Sequence, residues 1–170
     1  MNLQWIGALL VIAGCGGVGF SMALHYKREL DGLRQLIGAL DFMSCELQYR
    51  LTPLPELCRQ TAELCAGSIK AVFLALAVEL ESQISPDVAS CMTAARGKIP
   101  ELPQKTSASL ETLGHSLGLF DLEGQLKGLE AVRAACEREL GTLEENKVQR
   151  IRSYQTLGLC AGAAVAILFI

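Results

Sequence analysis

Apolar positions follow two regimes along this chain. Residues 3–24 and 157–170 are charge-free and predominantly apolar, whereas the stretch between them sets leucines among charges at three- and four-residue steps. No Lys, Arg, Asp or Glu occurs before Lys27 or after Arg152. At 1.5 Å per helical residue, Leu3 to Leu24 is long enough to cross a hydrocarbon core of about 30 Å. The run after Ser153 is shorter but sufficient. Trp5 and Tyr26 stand where interfacial aromatics are expected. Lys27 and Arg28 at one boundary, and Lys147, Arg150 and Arg152 at the other, put the intervening residues on the cytoplasmic side and both termini outside. The pattern predicts an N-terminal transmembrane helix over 1–26, a cytoplasmic helical bundle over 27–152 and a C-terminal transmembrane helix over 153–170.

Within the middle stretch, Leu30, Leu33, Leu36, Leu40, Met43, Leu47 and Leu51 make one helical stripe running straight out of the first apolar segment. That helix must end near Thr52-Pro53-Leu54-Pro55-Glu56, where Thr52 is placed to cap a second helix with Pro53 at its first position. Leu54, Leu57, Cys58, Leu64 and Cys65 carry the second helix to Gly67, and Ser68 starts a third that runs to about Ser82. Ser85-Pro86-Asp87 opens a short fourth helix ending by Gly97, and Gly97, Pro100 and Pro103 mark the main loop. A fifth helix from about Thr106 carries Leu110 and Leu113 and closes through Gly114-His115-Ser116-Leu117-Gly118. Asp121 caps the sixth, whose stripe is Leu122, Leu126, Leu129, Val132, Cys136, Leu140 and Leu143. Sustained two-residue alternation and a repeat of solenoid length are both missing.

The glycines of the apolar ends admit several readings. Ala13, Gly17 and Ser21, like Gly158, Gly162 and Ala166, recur at four-residue spacing, the arrangement that lets membrane helices approach closely, and these two faces are expected to meet. Gly14-Cys15-Gly16-Gly17-Val18-Gly19 also meets the G-x-G-x-x-G spacing of a dinucleotide fold, but the strands such a fold needs do not follow. Ile12-Ala13-Gly14-Cys15 matches a lipoprotein cleavage pattern, which would make the chain an adaptor lipidated at Cys15. The missing basic leader and the apolar run beyond Cys15 weigh against that alternative.

At 170 residues the chain has room for one modest cytoplasmic core. Its formal net charge of −3 argues against a nucleic-acid surface, which would show basic clusters interleaved with aromatics. Seven cysteines, odd in number and without a C-x-x-C pair, read as reduced thiols. His25 and His115 stand alone, and neither a P-loop nor a nucleophile elbow is present, so no metal, cofactor or catalytic residue is assigned. A small membrane enzyme or transport subunit, resting on Glu46, Tyr49 and His115, is the alternative from another class. The charged residues of the last helix, Glu137, Glu139, Glu144 and Glu145 among Arg133, Arg138 and Lys147, make a solvated face or a docking surface. An apolar stripe on a long helix serves equally as core or as a contact between copies, which leaves a homo-oligomer open.

The chain resembles the stage III sporulation protein AB family. The resemblance rests on Gly19-Phe20 and Tyr26, Arg34-Gln35-Leu36, and Glu46-Leu47-Gln48-Tyr49 leading into Thr52-Pro53-Leu54-Pro55-Glu56. It continues through Leu113-Gly114, Leu117-Gly118, Asp121, Gln125, Lys147, Arg150, Ser153 and Leu157-Gly158, and is weakest between about Ser82 and Ser107. The fold it implies is all-α: a cytoplasmic antiparallel six-helix bundle like the F-type platform domains of type II secretion and type IV pilus systems, with the first and last helices continuing into the membrane. The function it implies is a non-enzymatic platform subunit of the sporulation channel between mother cell and forespore. Such a subunit sits in the mother-cell membrane around the forespore, with its bundle in the mother-cell cytoplasm. The partners it implies are the cytoplasmic ATPase, stage III sporulation protein AA, and the other channel subunits.

Overall fold

The computed structural model describes the backbone of residues 2–50, 52–82, 87–118 and 121–169, and the side chains of residues 21, 22, 24–50, 52–82, 87–118, 121–145 and 156. The described residues form six helices: α1 (Asn2–Tyr49), α2 (Leu54–Leu64), α3 (Gly67–Ser82), α4 (Val88–Gly97), α5 (Gln104–Ser116) and α6 (Leu122–Phe169). No strand occurs among the described residues. The chain divides into two compact units, Met1–Arg28 with Thr142–Ile170, and Glu29–Gly141. Among the described residues no helix is long and apolar enough to cross a membrane. Most of the charge-free runs, with Cys15 and the packing glycines Gly17, Gly158 and Gly162, lies outside the residues whose side chains are described.

The unit Glu29–Gly141 is a helical bundle in which α2 packs on α3, α3 on α4 and α4 on α5. Its core follows the three- and four-residue spacing. Leu30, Leu33, Leu36, Leu40 and Met43 of α1 are at most 1% exposed, and Leu57, Phe73, Leu76, Met92, Leu110, Leu113 and Leu129 are wholly buried. At about 1.5–3 kcal/mol for each large side chain taken from water, these residues dominate the favourable side of folding.

The ends of the stripes depart from expectation. Leu64 is 63% and Leu122 40% exposed. The buried face of α2 is Leu57, Cys58, Thr61 and Ala62, and Leu64 lies about 90° around the helix from the middle of that face. Leu122 is the first residue of α6, ahead of its buried positions, which begin at Leu129 and continue through Val132 and Cys136 to Leu143.

Two helix starts also move. α2 begins at Leu54 with Pro53 in the cap position, where φ is −55° and ψ 140°, and Pro55 takes the first turn. Thr52 does not cap it, because its hydroxyl turns towards α1 and donates to Glu46 Oε2 at 3.2 Å. α5 begins two residues before Thr106, at Gln104, since Pro103 supplies the extended cap conformation and its carbonyl accepts from Ser107 N at 2.8 Å. Gly67 has φ +56° and opens α3 rather than closing α2. The C-cap of α2 is Cys65, and the next amide, Ala66 N–H, donates to the side-chain carbonyl of Gln35 on α1 at 2.8 Å.

A buried carboxylate completes the start of α5. Pro103 offers no capping side chain. Glu29 of α1, only 6% exposed, accepts from Lys105 N at 3.3 Å, placing a negative group at the positive end of the helix. α1 comes this close because Gly32 has no side chain: a Cβ there would stand 2.7 Å from Thr106 Oγ1.

Exposed ion pairs then pin one helix to another. Arg59 joins α2 to Glu81 of α3 at 2.6 Å, Lys98 beyond α4 reaches Glu79 of α3 at 2.5 Å, and Arg96 of α4 holds Glu111 of α5 at 3.0 Å. Lys105 of α5 pairs with Glu139 of α6, and Arg133 of α6 with Asp41 of α1 at 2.5 Å. At about 0–1 kcal/mol each, such pairs contribute more to register than to stability. In the other unit the Tyr26 hydroxyl of α1 donates to the carbonyl of Leu143 on α6.

Candidate interaction surface

The residues singled out in the sequence fall at two turns. At the first, between α1 and α2, Glu46 has a largely buried side chain that accepts from Thr52 and pairs with Arg50 at 3.5 Å. Pro53, Leu54, Pro55 and Glu56 follow as cap and first turn of α2, and Glu56 Oε1 accepts from Gln60 Nε2 at 3.0 Å. Tyr49 projects from this corner, 76% exposed. Glu46 is thus held by structural partners, and Tyr49 stands in solvent.

The second turn brings α4, α5 and α6 together. A Cβ on Gly114 would lie 2.7 Å from Met92 Cβ, so a glycine is what allows α5 against α4. Gly118 has φ +79°, and a Cβ there would meet Val88 Cγ2 at 2.4 Å. Asp121 caps α6 by accepting from Gly124 N at 3.1 Å, and Gln125 N donates to the Asp121 carbonyl at 2.9 Å. Asp87 caps α4 through Ser90 N at 2.9 Å. Hydrogen bonding from Ser90, its side chain first and its amide second, with a smaller contribution from His115, holds the Asp87 carboxyl below the usual carboxylate range. Asp87 and Asp121 thus serve as helix caps, and the glycines shape the turn.

Among the described residues no three of His, Cys, Asp and Glu are placed to hold a metal ion. His25 and His115 are exposed. Cys58, Cys65, Cys91 and Cys136 are buried free thiols and Cys45 an exposed one. Burial pushes the Cys58 thiol up to about 12 and raises Cys65 and Cys136, which keeps them protonated near neutrality and poor as nucleophiles or ligands.

What the surface offers is shape and charge. Between α5 and α6 lies a groove of about 330 Å³ lined by Ala108, Ser109, Thr112, Val132 and Ala135, with Lys105 and Glu139 among its walls. Residues 29–141 carry sixteen acidic side chains against ten Lys and Arg, a net of −6, whereas the remaining residues sum to +3. The sequence reading missed this groove and the role of Glu29. The signal for Glu29 was its phase: it sits on the same face of α1 as Gly32, Leu33 and Leu36, a carboxylate within an apolar stripe.

The described residues thus form an all-α bundle with two turn clusters and a groove. A family model described as stage III sporulation protein AB matches residues 4–170. Stage III sporulation protein AB of Bacillus subtilis (strain 168) is 24% identical over 169 residues, covering 98% of each chain. A solved structure of a stage III sporulation protein AB superposes with a TM-score of 0.64 at 22% identity, covering 72% of this chain and 98% of the other. The chain belongs to the stage III sporulation protein AB family, and membership implies a role in sporulation.

Proposed function

We propose that this chain is a non-enzymatic membrane platform subunit of the secretion-like sporulation channel between mother cell and forespore, required for spore development. Its charge-free ends, residues 1–26 and 153–170, anchor it in the mother-cell membrane around the forespore with both termini outside. The helices between them form an antiparallel bundle in the mother-cell cytoplasm, similar to F-type secretion platforms. There the bundle binds the ATPase, stage III sporulation protein AA, and holds it in register with the other channel subunits.

The observation that carries this reading is that α1 and α6 are each a single helix of 48 residues, with charged residues at the bundle end and none in the terminal run. A helix of that kind joins a binding module to a membrane anchor without a hinge-forming loop. The test is to titrate the purified ATPase onto the full chain in nanodiscs while following its hydrolysis rate. Saturable binding is expected; its absence would remove the platform reading.

A further inference from the structure

α3 is apolar on both of its sides. Nine of the ten residues 71–80 are apolar, Glu79 being the exception. Ile69, Val72, Phe73, Leu76 and Ala77 are buried in the bundle. On the opposite side Ala71, Leu74, Ala75 and Val78 fall at i, i+3, i+4 and i+7, the spacing of a helix-packing seam. Leu74 is 42% and Val78 55% exposed. A helix that is apolar all round is normally covered all round, yet among the described residues nothing covers this seam.

The ends of the seam carry opposite charges. Lys70 is exposed, and its ammonium makes no ion pair among the described residues. Glu81 is exposed and holds Arg59 of α2 at 2.6 Å. At 100° per residue, Lys70 and Glu81 lie within about 20° of each other around the helix, both on the Leu74 side of the seam. The midpoint between Lys70 and Glu81 and the midpoint between Leu74 and Val78 coincide along the axis to within about 1 Å.

That placement is self-complementary. A twofold axis lying between two copies of α3, at right angles to both, exchanges the ends of each helix and keeps each flank on its own side. Laid antiparallel, the copies bring Leu74 of one against Val78 of the other, and Lys70 against Glu81 twice over. A partner carrying one sign of charge would be attracted at one end of the seam and repelled at the other, whereas a second copy satisfies both ends. The bundle's net −6 does not decide the encounter, because charges more than about 8 Å away are largely screened at physiological ionic strength.

We infer that the outer face of α3 is a pairing surface for a second copy of this chain, the two helices antiparallel about a twofold axis. A single helix pair buries less than a standard interface of about 1,600 Å², so the contact is weak and is best read by a covalent trap. The test uses the full chain in detergent, with a photo-crosslinking residue at Val78 and tags of two sizes marking the copies. Wild-type copies should give a dimer adduct that maps near Leu74, and the same crosslinker at Ala94, exposed on α4, should not. Leu74→Asp is expected to lower the adduct yield by about tenfold.

Charge exchange separates this arrangement from any other apolar contact. Lys70→Glu copies alone, like Glu81→Lys copies alone, set like charges together at both contacts and should give about fivefold less adduct. Mixed in equal amounts, the two variants face each other with opposite charges at both contacts, and the mixed-tag adduct should return towards the wild-type yield. Thermal melts establish that each variant is folded. Adducts to detergent alone, capture equal at Val78 and Ala94, or a mixed yield no higher than that of either variant by itself would overturn the pairing.

Discussion

Cys58 and Cys45 show how burial alone divides one chemistry into two behaviours. Cys58 is fully buried on the core face of α2 and its thiol is pushed up to about 12, from an ordinary value of 9.0. Cys45, free and exposed on α1, meets any reagent in solution. Iodoacetamide at neutral pH is therefore expected to alkylate Cys45 in the folded chain and to reach Cys58 only after denaturation, as mass mapping of the adducts would show. The same shift makes a pH prediction. Above about pH 9 the unfolded chain releases the Cys58 proton while the folded chain keeps it, so stability is complete below that pH and declines as pH rises towards 12. The melting temperature should drop less steeply over this range in Cys58→Ala than in wild type, and parallel profiles would refute the assignment.

The elements are governed by which glycines carry a neighbour. A Cβ at Gly38 on α1 would have nothing within 4 Å, whereas one at Gly114 would stand 2.7 Å from Met92 Cβ and 3.4 Å from Ala89 Cα. Gly38→Ala is expected to stabilise the chain by about 0.5–1 kcal/mol through helix propensity. Gly114→Ala is expected to cost about 1–3 kcal/mol by forcing α5 off α4. Urea unfolding of the two variants should move the midpoint in opposite directions, and a shared sign would contradict the packing described here.

Elements of this kind were largely legible in sequence because their signals are local: Asp87 and Asp121 cap the helices they precede, whereas Pro53, Pro103 and Gly67 marked the boundaries but take other positions in them than the sequence suggests. Contacts that depend on distant pairing left less trace. Gln35 with Ala66, Glu29 with Lys105, and the pins such as Asp41 with Arg133 follow from how helices meet, which periodicity does not encode. The groove was hidden for a related reason. It is a space left between two helices, and small residues such as Ala131 and Ala135 look the same in sequence whether a neighbour covers them or not.

At the scale of the whole molecule, charge separates along the chain, with the net −6 of residues 29–141 set against +3 in the rest. In the proposed setting the basic share flanks the membrane and the acidic share faces partners. Gly162→Leu, in the terminal run, is then expected to weaken co-assembly in the membrane while leaving the thermal melt of the bundle unchanged. Detergent extraction followed by native mass measurement would register that difference, and intact assembly in the variant would discount close packing at this glycine.

The carboxylate of Glu29 has a bearing on the order in which the chain takes shape during synthesis. Its partner at the start of α5, Lys105 N, lies 76 residues later, and Asp41 waits still longer for Arg133. The leucine face of α1 thus leaves the ribosome well before the segments that pair with its polar positions exist. The successive contacts of α2 with α3, α3 with α4 and α4 with α5 can form as each helix emerges, whereas α1 is engaged fully only once α6 arrives. A nascent chain halted at Ser116 would lack the buried Leu129, Val132 and Cys136 of α6 and leave the apolar surface they cover open, the kind of surface that chaperones hold, and release of that hold would mark the arrival of the last helix.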